Sequence, residues 1–234
     1  MRIQVFLSHN GVCSRRDALE LVQSGRVRIN GRMVKEPSAQ VEGGEEITVD
    51  GQVIGIKRLA YVMLNKPAGY TTTKDDPHAE KTVMDLLPSH LRHLSPVGRL
   101  DRESEGLLLL TNDGDLANKL THPKFHAPKT YLVRVKGELT KEKQRKMETG
   151  VVVEGTKTLP CQVKEVQYNG TDTEFKITLS EGRKRQIRMM TRSVGHTVNF
   201  LRRLSIGNVS LGDLKTGQWR DLSLQEINSL KGSP

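Results

Sequence analysis

Gly98-Arg99-Leu100-Asp101-Arg102-Glu103-Ser104-Glu105-Gly106-Leu107-Leu108-Leu109-Leu110-Thr111-Asn112-Asp113 joins two contrasting patterns. Leu107 to Leu110 are apolar without alternation, as in a strand buried on both faces. The stretch before them holds Asp101, Glu103 and Glu105 within five residues, with Arg99 and Arg102 beside them. A polar loop standing directly on the end of a buried strand is where a rigid scaffold presents reactive groups. On the residues alone, Asp101 has two readings: a carboxylate that caps the next turn or bridges Arg99, or a reactive one.

Outward from this loop, strands are predicted at 61–64, 107–111, 131–135, 162–166, 174–179 and 205–209. In 174–179, Phe175, Ile177 and Leu179 alternate with polar residues, so that strand has one wet face. Helices are predicted at 83–87, 115–120, 140–148, 184–195 and 223–230, the last opened by a Ser223/Glu226 capping box. Strands mixed with helices without strict alternation predict an α+β domain on a mixed, largely antiparallel sheet.

The N-terminal part reads differently. Ile3, Phe6 and Leu7 share one helical face, and Ser14 with Asp17 caps a second helix that turns Ala18, Leu19 and Val22 inward. Val27-Arg28-Ile29 and Met33-Val34 flank Asn30-Gly31, a two-residue hairpin signal, and a further strand runs from Glu46 to Val49. Gly51 to Arg58 reads as a linker. The expected organisation is a small α/β domain over 1–57 and a larger one over 58–234. The loop from Thr71 to Lys74 and the following Asp75-Asp76-Pro77-His78 is either an element near the site or a plain surface connection.

Lys and Arg number 37 against 27 Asp and Glu, a formal charge of +10 with pI near 9.7. That excess favours a polyanionic partner, because neutralising phosphates releases condensed counterions. Six cations, Arg15, Arg16, Arg26, Arg28, Arg32 and Lys35, fall at the second helix start and around the hairpin. Arginines at a helix N-terminus oppose its dipole, which points to an external anion. Arg185, Arg188 and Arg192 recur at three-to-four-residue spacing, where mutual repulsion makes a phosphate ladder a better explanation than helix stability. Cys13 and Cys161, far apart, read as reduced thiols, and no Cys or His cluster has metal-ligand spacing. No structural metal is expected. No apolar run approaches the roughly 20 residues that span a bilayer, and the N-terminus lacks a signal-peptide pattern, so no membrane association and a cytoplasmic location are expected.

RIQVFLSHNGVCSRRDALELVQSGRVRINGRMV, within residues 1–50, resembles the small RNA-binding module named after ribosomal small-subunit protein S-four. GRLDRESEGLLLLTNDG resembles the signature of pseudouridine synthases of the RsuA and RluB type. Three further segments agree in order: Tyr61 to Gly69, a strand leading into a KPxG turn that includes Lys66; Lys129-Thr130-Tyr131; and Glu181-Gly182-Arg183-Lys184-Arg185-Gln186-Ile187-Arg188.

The resemblance implies an isomerase that detaches uracil from ribose, rotates it and reattaches it through carbon, without a cofactor. By the family pattern Asp101 is the catalytic carboxylate and Arg188 the cation that keeps it ionised and oriented. Tyr131 packs on the target base and accepts its proton. Arg15, Arg16, Arg26, Arg28, Arg32, Lys66, Arg99, Arg183, Lys184, Arg185 and Arg192 are expected to bind RNA. Arg185 stands where many relatives have His, which leaves that position's detailed role open. The implied partner is ribosomal RNA or a pre-ribosomal particle, met by a monomer. The motifs favour the large-subunit 23S rRNA, with 16S rRNA as the alternative. Two other classes compete: a non-catalytic rRNA-binding assembly factor, and a carboxylate-dependent nucleosidase with Glu105 as its second acid.

Overall fold

The computed structural model describes residues 1–55, 58–74 and 76–232. It divides into two compact units, Met1–Ala60 with Asn112–Gly114, and Tyr61–Thr111 with Asp115–Pro234. The expected 57/58 boundary falls against Ile56 and Lys57, which lie outside the described residues, as does Asp75 of the 71–78 loop.

In the first unit, helices α1 (Ile3–His9) and α2 (Arg15–Gln23) precede a four-stranded antiparallel sheet of order β2-β1-β3-β4: β1 Val27–Ile29, β2 Arg32–Val34, β3 Ile47–Val49 and β4 Gln52–Val53. Ser14 and Asp17 cap α2 reciprocally. Asn30-Gly31 takes up φ of 49° and 75° between β1 and β2, and Asp50-Gly51 repeats this with 49° and 80° between β3 and β4. The second pair turns the chain back into a strand, so Gln52 and Val53 belong to the sheet and not to the expected linker. Ile3, Leu7, Ala18, Val22, Val27 and Ile47 form the core. Leu19, expected inward, is 39% exposed because it lies about 100° around the helix from Ala18; Leu21, three positions on, packs instead.

The second unit is built on a nine-stranded sheet. Its strands are β5 (Tyr61–Lys66), β6 (Ser95–Pro96), β7 (Glu105–Thr111), β8 (Lys129–Lys136), β11 (Gln162–Tyr168), β12 (Asp172–Leu179), β13 (Val198–Ile206), β14 (Val209–Ser210) and β15 (Trp219–Asp221). A separate hairpin pairs β9 (Val152–Val153) with β10 (Thr156–Lys157). The order is β11-β12-β8-β13-β7-β5-β15, with β14 on β13 and β6 on β7. Helices α3 (Gly114–Thr121) and α6 (Leu224–Gly232) pack with β5 and β7 around Met63, Leu107, Leu109, Leu116 and Leu230. Helices α4 (Lys141–Glu148) and α5 (Gln186–Ser193) pack with β8 and β12 around Val133, Met147, Phe175, Ile177 and Met190. The α+β class and the largely antiparallel sheet are as expected. Leu107 to Leu110 are all buried.

Three of the expected elements take a different form. Residues 83–86 wind as a 3-10 turn. The strand expected at 205–209 begins at Val198 and breaks at Gly207-Asn208 before β14. Helix α5 starts at Gln186, because Arg185 adopts a left-handed conformation at φ 52°.

Strands β7 and β13 run parallel, with Glu105 opposite Arg202 and Gly106 opposite Arg203. Gly106 is indispensable at this crossing. A Cβ there would lie 2.2 Å from the Arg203 carbonyl oxygen, and the backbone has φ +101°. This close approach fixes the end of β7 from which the 98–104 loop departs. Among the described residues no helix is long and apolar enough to cross a membrane.

Candidate active site

The 98–104 loop is fastened through its backbone. Lys66, at the end of β5, is fully buried, and its Nζ lies near four carbonyls: Ser104 at 2.8 Å, Pro67 at 3.0 Å, Asp101 at 3.2 Å and Arg102 at 3.3 Å. Burial pushes its pKa down to about 8, against the pull of Asp101, Glu105 and Glu103, and it stays cationic at neutral pH. Thr72 Oγ1 donates to the Leu100 carbonyl (2.8 Å) and accepts from the Leu100 N–H (3.3 Å). The Gly69 N–H donates to the Arg102 carbonyl at 2.7 Å, and Arg102 Nε returns a bond to the Gly69 carbonyl at 3.2 Å. The KPxG turn and the 71–74 segment are therefore the clamp of this loop. Lys66 is corrected from an RNA contact to a scaffold residue, since a side chain with no exposed surface cannot meet a phosphate.

With its backbone held, Asp101 presents a side chain one-third exposed at a cavity of about 500 Å3, within the range of small-molecule sites. Arg99, Ser104, Tyr131, Lys184 and Arg185 share its lining. Tyr131 arrives from β8, opposite Ile177 of β12 and Arg203 of β13. The Ser104 hydroxyl is buried there without a partner among the described residues.

The cation nearest the Asp101 carboxylate is Arg185, with Nη1 3.7 Å from Asp101 Oδ2 and 3.2 Å from Glu103 Oε2. Burial opposes ionisation of Glu103, but the Arg185 hydrogen bond, a backbone hydrogen bond and the charges of Arg185 and Arg188 together hold the carboxyl below its usual range. The expected Arg188–Asp101 pair is not formed. Arg188 lies within α5, and its Nη1 donates to the Val198 carbonyl at 3.3 Å while its Nε is buried without a partner among the described residues. The left-handed turn at Arg185 is what brings the earlier arginine to the loop acids instead. Among the described residues Asp101 makes no ion pair with Arg99, which removes the bridging reading. Arg185, outside the helix, and Arg188 and Arg192 within it line one smaller cavity of about 140 Å3.

The remaining cations divide in two. Arg99, Lys184 and Arg192 are exposed. Arg183 turns its donors inward, to Glu181 and to the carbonyls of Thr156 and Lys157, so it braces the β9–β10 hairpin. Glu105 accepts from Arg202 Nη2 at 2.7 Å and does not line the Asp101 cavity, so it is not placed as the second acid of the nucleosidase reading. Burial pushes the Cys161 thiol up to about 12, with Glu148 and Glu181 adding to it, so it is no nucleophile. In the N-terminal unit Arg15, Arg16, Arg28 and Arg32 are exposed, whereas the Arg26 guanidinium is held by Asp50.

Residues 60–193 match the family model described as RNA pseudouridylate synthase, and residues 1–47 match the S4 domain model. The chain belongs to the RNA pseudouridylate synthase family. Ribosomal large subunit pseudouridine synthase B of Bacillus subtilis is 39% identical over 98% of this chain and 95% of the relative. An uncharacterized RNA pseudouridine synthase of Aquifex aeolicus is 39% identical over 98% and 93%. The dual-specificity RNA pseudouridine synthase RluF of Escherichia coli is 38% identical over 98% and 78%. A crystal structure of a pseudouridylate synthase superposes with a TM-score of 0.72 at 32% identity, covering 98% of this chain and 99% of that one.

In this synthase the scaffold roles of Lys66 and Thr72 escaped the sequence reading. The signal was present in Lys66: a lysine closing a strand that opens on the apolar run Val62 to Leu64 must find acceptors, because a buried ammonium is costly without them.

Proposed function

We propose that this pseudouridine synthase isomerises a uridine of ribosomal RNA, with Asp101 as the catalytic carboxylate. The observation that carries the reading is the Asp101 side chain at a nucleoside-sized cavity, its backbone clamped by Lys66 and its carboxylate beside Arg185. The target nucleotide leaves its stack to enter, at a cost of about a few kcal/mol that phosphate contacts from exposed arginines offset. The anionic carboxylate acts on the base or sugar, uracil detaches, turns and rejoins through carbon. Tyr131 supports the base with its ring and takes the proton released on rejoining.

Residues 1–57 act as the RNA-delivery domain and 58–234 as the catalytic domain, in a cytoplasmic monomer. The name of the relative from Bacillus subtilis, together with the motif pattern, favours large-subunit rRNA over 16S. The test is purified protein incubated with rRNA from cells lacking the gene. Pseudouridine at one position of large-subunit rRNA is expected. RNA binding without any pseudouridine would favour the assembly-factor reading, and release of free uracil would favour the nucleosidase.

A further inference from the structure

A second cavity of about 560 Å3 adjoins the first through shared walls at Arg99, Tyr131 and Arg183. Its lining adds Lys129 and Arg203, so four Lys or Arg side chains face one carboxylate, Glu181. That carboxylate is already engaged: it accepts from Arg183 Nε, the Leu159 N–H and Gln186 Nε2.

Arg203 is 3% exposed; its Nε donates to the Leu107 carbonyl at 2.7 Å, and its Nη2 is buried without a partner among the described residues. Lys129 donates to the Ala127 carbonyl at 2.9 Å, and burial with Arg203 nearby pushes its pKa down to about 8. Neither cation has an ion pair among the described residues. Two adjacent cations withdrawn from water and left without a counter-charge destabilise a fold unless an anion completes them. Nothing in the isomerisation chemistry uses either residue.

We propose that this second cavity binds a backbone phosphate of the RNA, belonging to a nucleotide next to the target uridine, with Lys129 as the contacting cation and the buried Arg203 charge behind it. The proposal rests on the Asp101 cavity being the seat of the target nucleotide. A neighbouring phosphate then falls beside it, and adjoining cavities that share Tyr131 and Arg99 suit a base in one and a phosphodiester in the other.

The test uses the full chain with Lys129→Met and Lys129→Arg. Met keeps the volume and removes an uncompensated buried charge, so its Tm should be at or above that of the wild type. Each phosphate contact with a single strand adds about 0.7 to the slope of log affinity against log salt. Lys129→Met should therefore lower the slope for unmodified rRNA by about that amount, and Lys129→Arg should retain it. Inorganic phosphate alone should shift the amide signals of Ala127 and Lys129 in the wild type and not in Lys129→Met. A lowered Tm with an unchanged slope would make Lys129 merely structural and overturn the proposal. Phosphate-induced shifts with an unchanged RNA slope would assign the cavity to a free anion and overturn it equally. Pseudouridine formation by the wild type is scored separately. Activity with an unchanged slope sinks the phosphate site alone, whereas a reduced slope without activity supports the site and sinks the substrate reading.

Discussion

The ammonium of Lys66 donates to the main-chain carbonyl of Asp101 over 3.2 Å, while the Asp101 carboxylate is left to the cavity. Backbone and side chain are thus positioned by different partners. Lys66→Met removes the donor shared by four carbonyls, three of them in the 101–104 stretch. Unfolding in urea should show a loss of about 2–4 kcal/mol, since buried acceptors are left unsatisfied. Turnover should fall with RNA affinity little changed. Wild-type stability in that variant would show that the loop holds itself.

Arg185 touches both Asp101 and Glu103, yet the Arg185 and Asp101 side chains are 43% and 32% exposed. A pair this open is worth at most about 1 kcal/mol, or roughly fivefold in rate. Arg185→Ala should therefore reduce kcat about fivefold on rRNA. Single-turnover rates check this against Arg188→Ala. A much larger loss from Arg188→Ala than from Arg185→Ala would mean that the reaction uses the pairing implied by the family pattern, and not the one seen here.

Exposed and engaged arginines should separate in binding experiments. Arg15→Ala should weaken RNA affinity and flatten its salt dependence by about one phosphate contact. Arg26→Ala should do less, because Asp50 already holds that guanidinium. Fluorescence titration with rRNA across a salt series makes the comparison, and equal effects would show that RNA displaces Asp50.

Glu226 closes the capping box of α6 and pairs with Arg220 at 2.7 and 2.8 Å; that hydrogen-bonded pair, opposed by burial, brings the carboxyl down to about 2. A carboxylate whose folded pKa lies below its unfolded value stabilises the fold above the unfolded pKa. The contribution is present above about 4.5 and is lost as pH falls toward about 2. Urea midpoints of wild type and Glu226→Gln should differ at pH 6 and converge near pH 2. A constant difference across that range would show that Glu226 acts by packing.

Much of the fold was legible because it is written in short-range chemistry. Ser14 with Asp17, Asn30-Gly31 and the Leu107–Leu110 run each declare a local geometry that tertiary packing respects. Asp50-Gly51 carried the same information as Asn30-Gly31 and was under-read, which hid β4. At the site, the motifs brought Asp101, Tyr131 and Arg185 to one cavity. Which arginine reaches the carboxylate was not legible, because it turns on the left-handed backbone at Arg185, a position with no glycine to signal it. The roles of Lys66 and Arg183 were obscured in the same way: a basic residue type does not say whether its charge faces water or carbonyls.

Asp101→Asn keeps the side-chain shape and the backbone clamp while removing the charge. Pseudouridine is mapped in rRNA from cells lacking the gene after incubation with each protein, alongside RNA affinity. The expected result is no pseudouridine from Asp101→Asn with affinity within a few-fold of the wild type. Substantial turnover by Asp101→Asn would contradict the account.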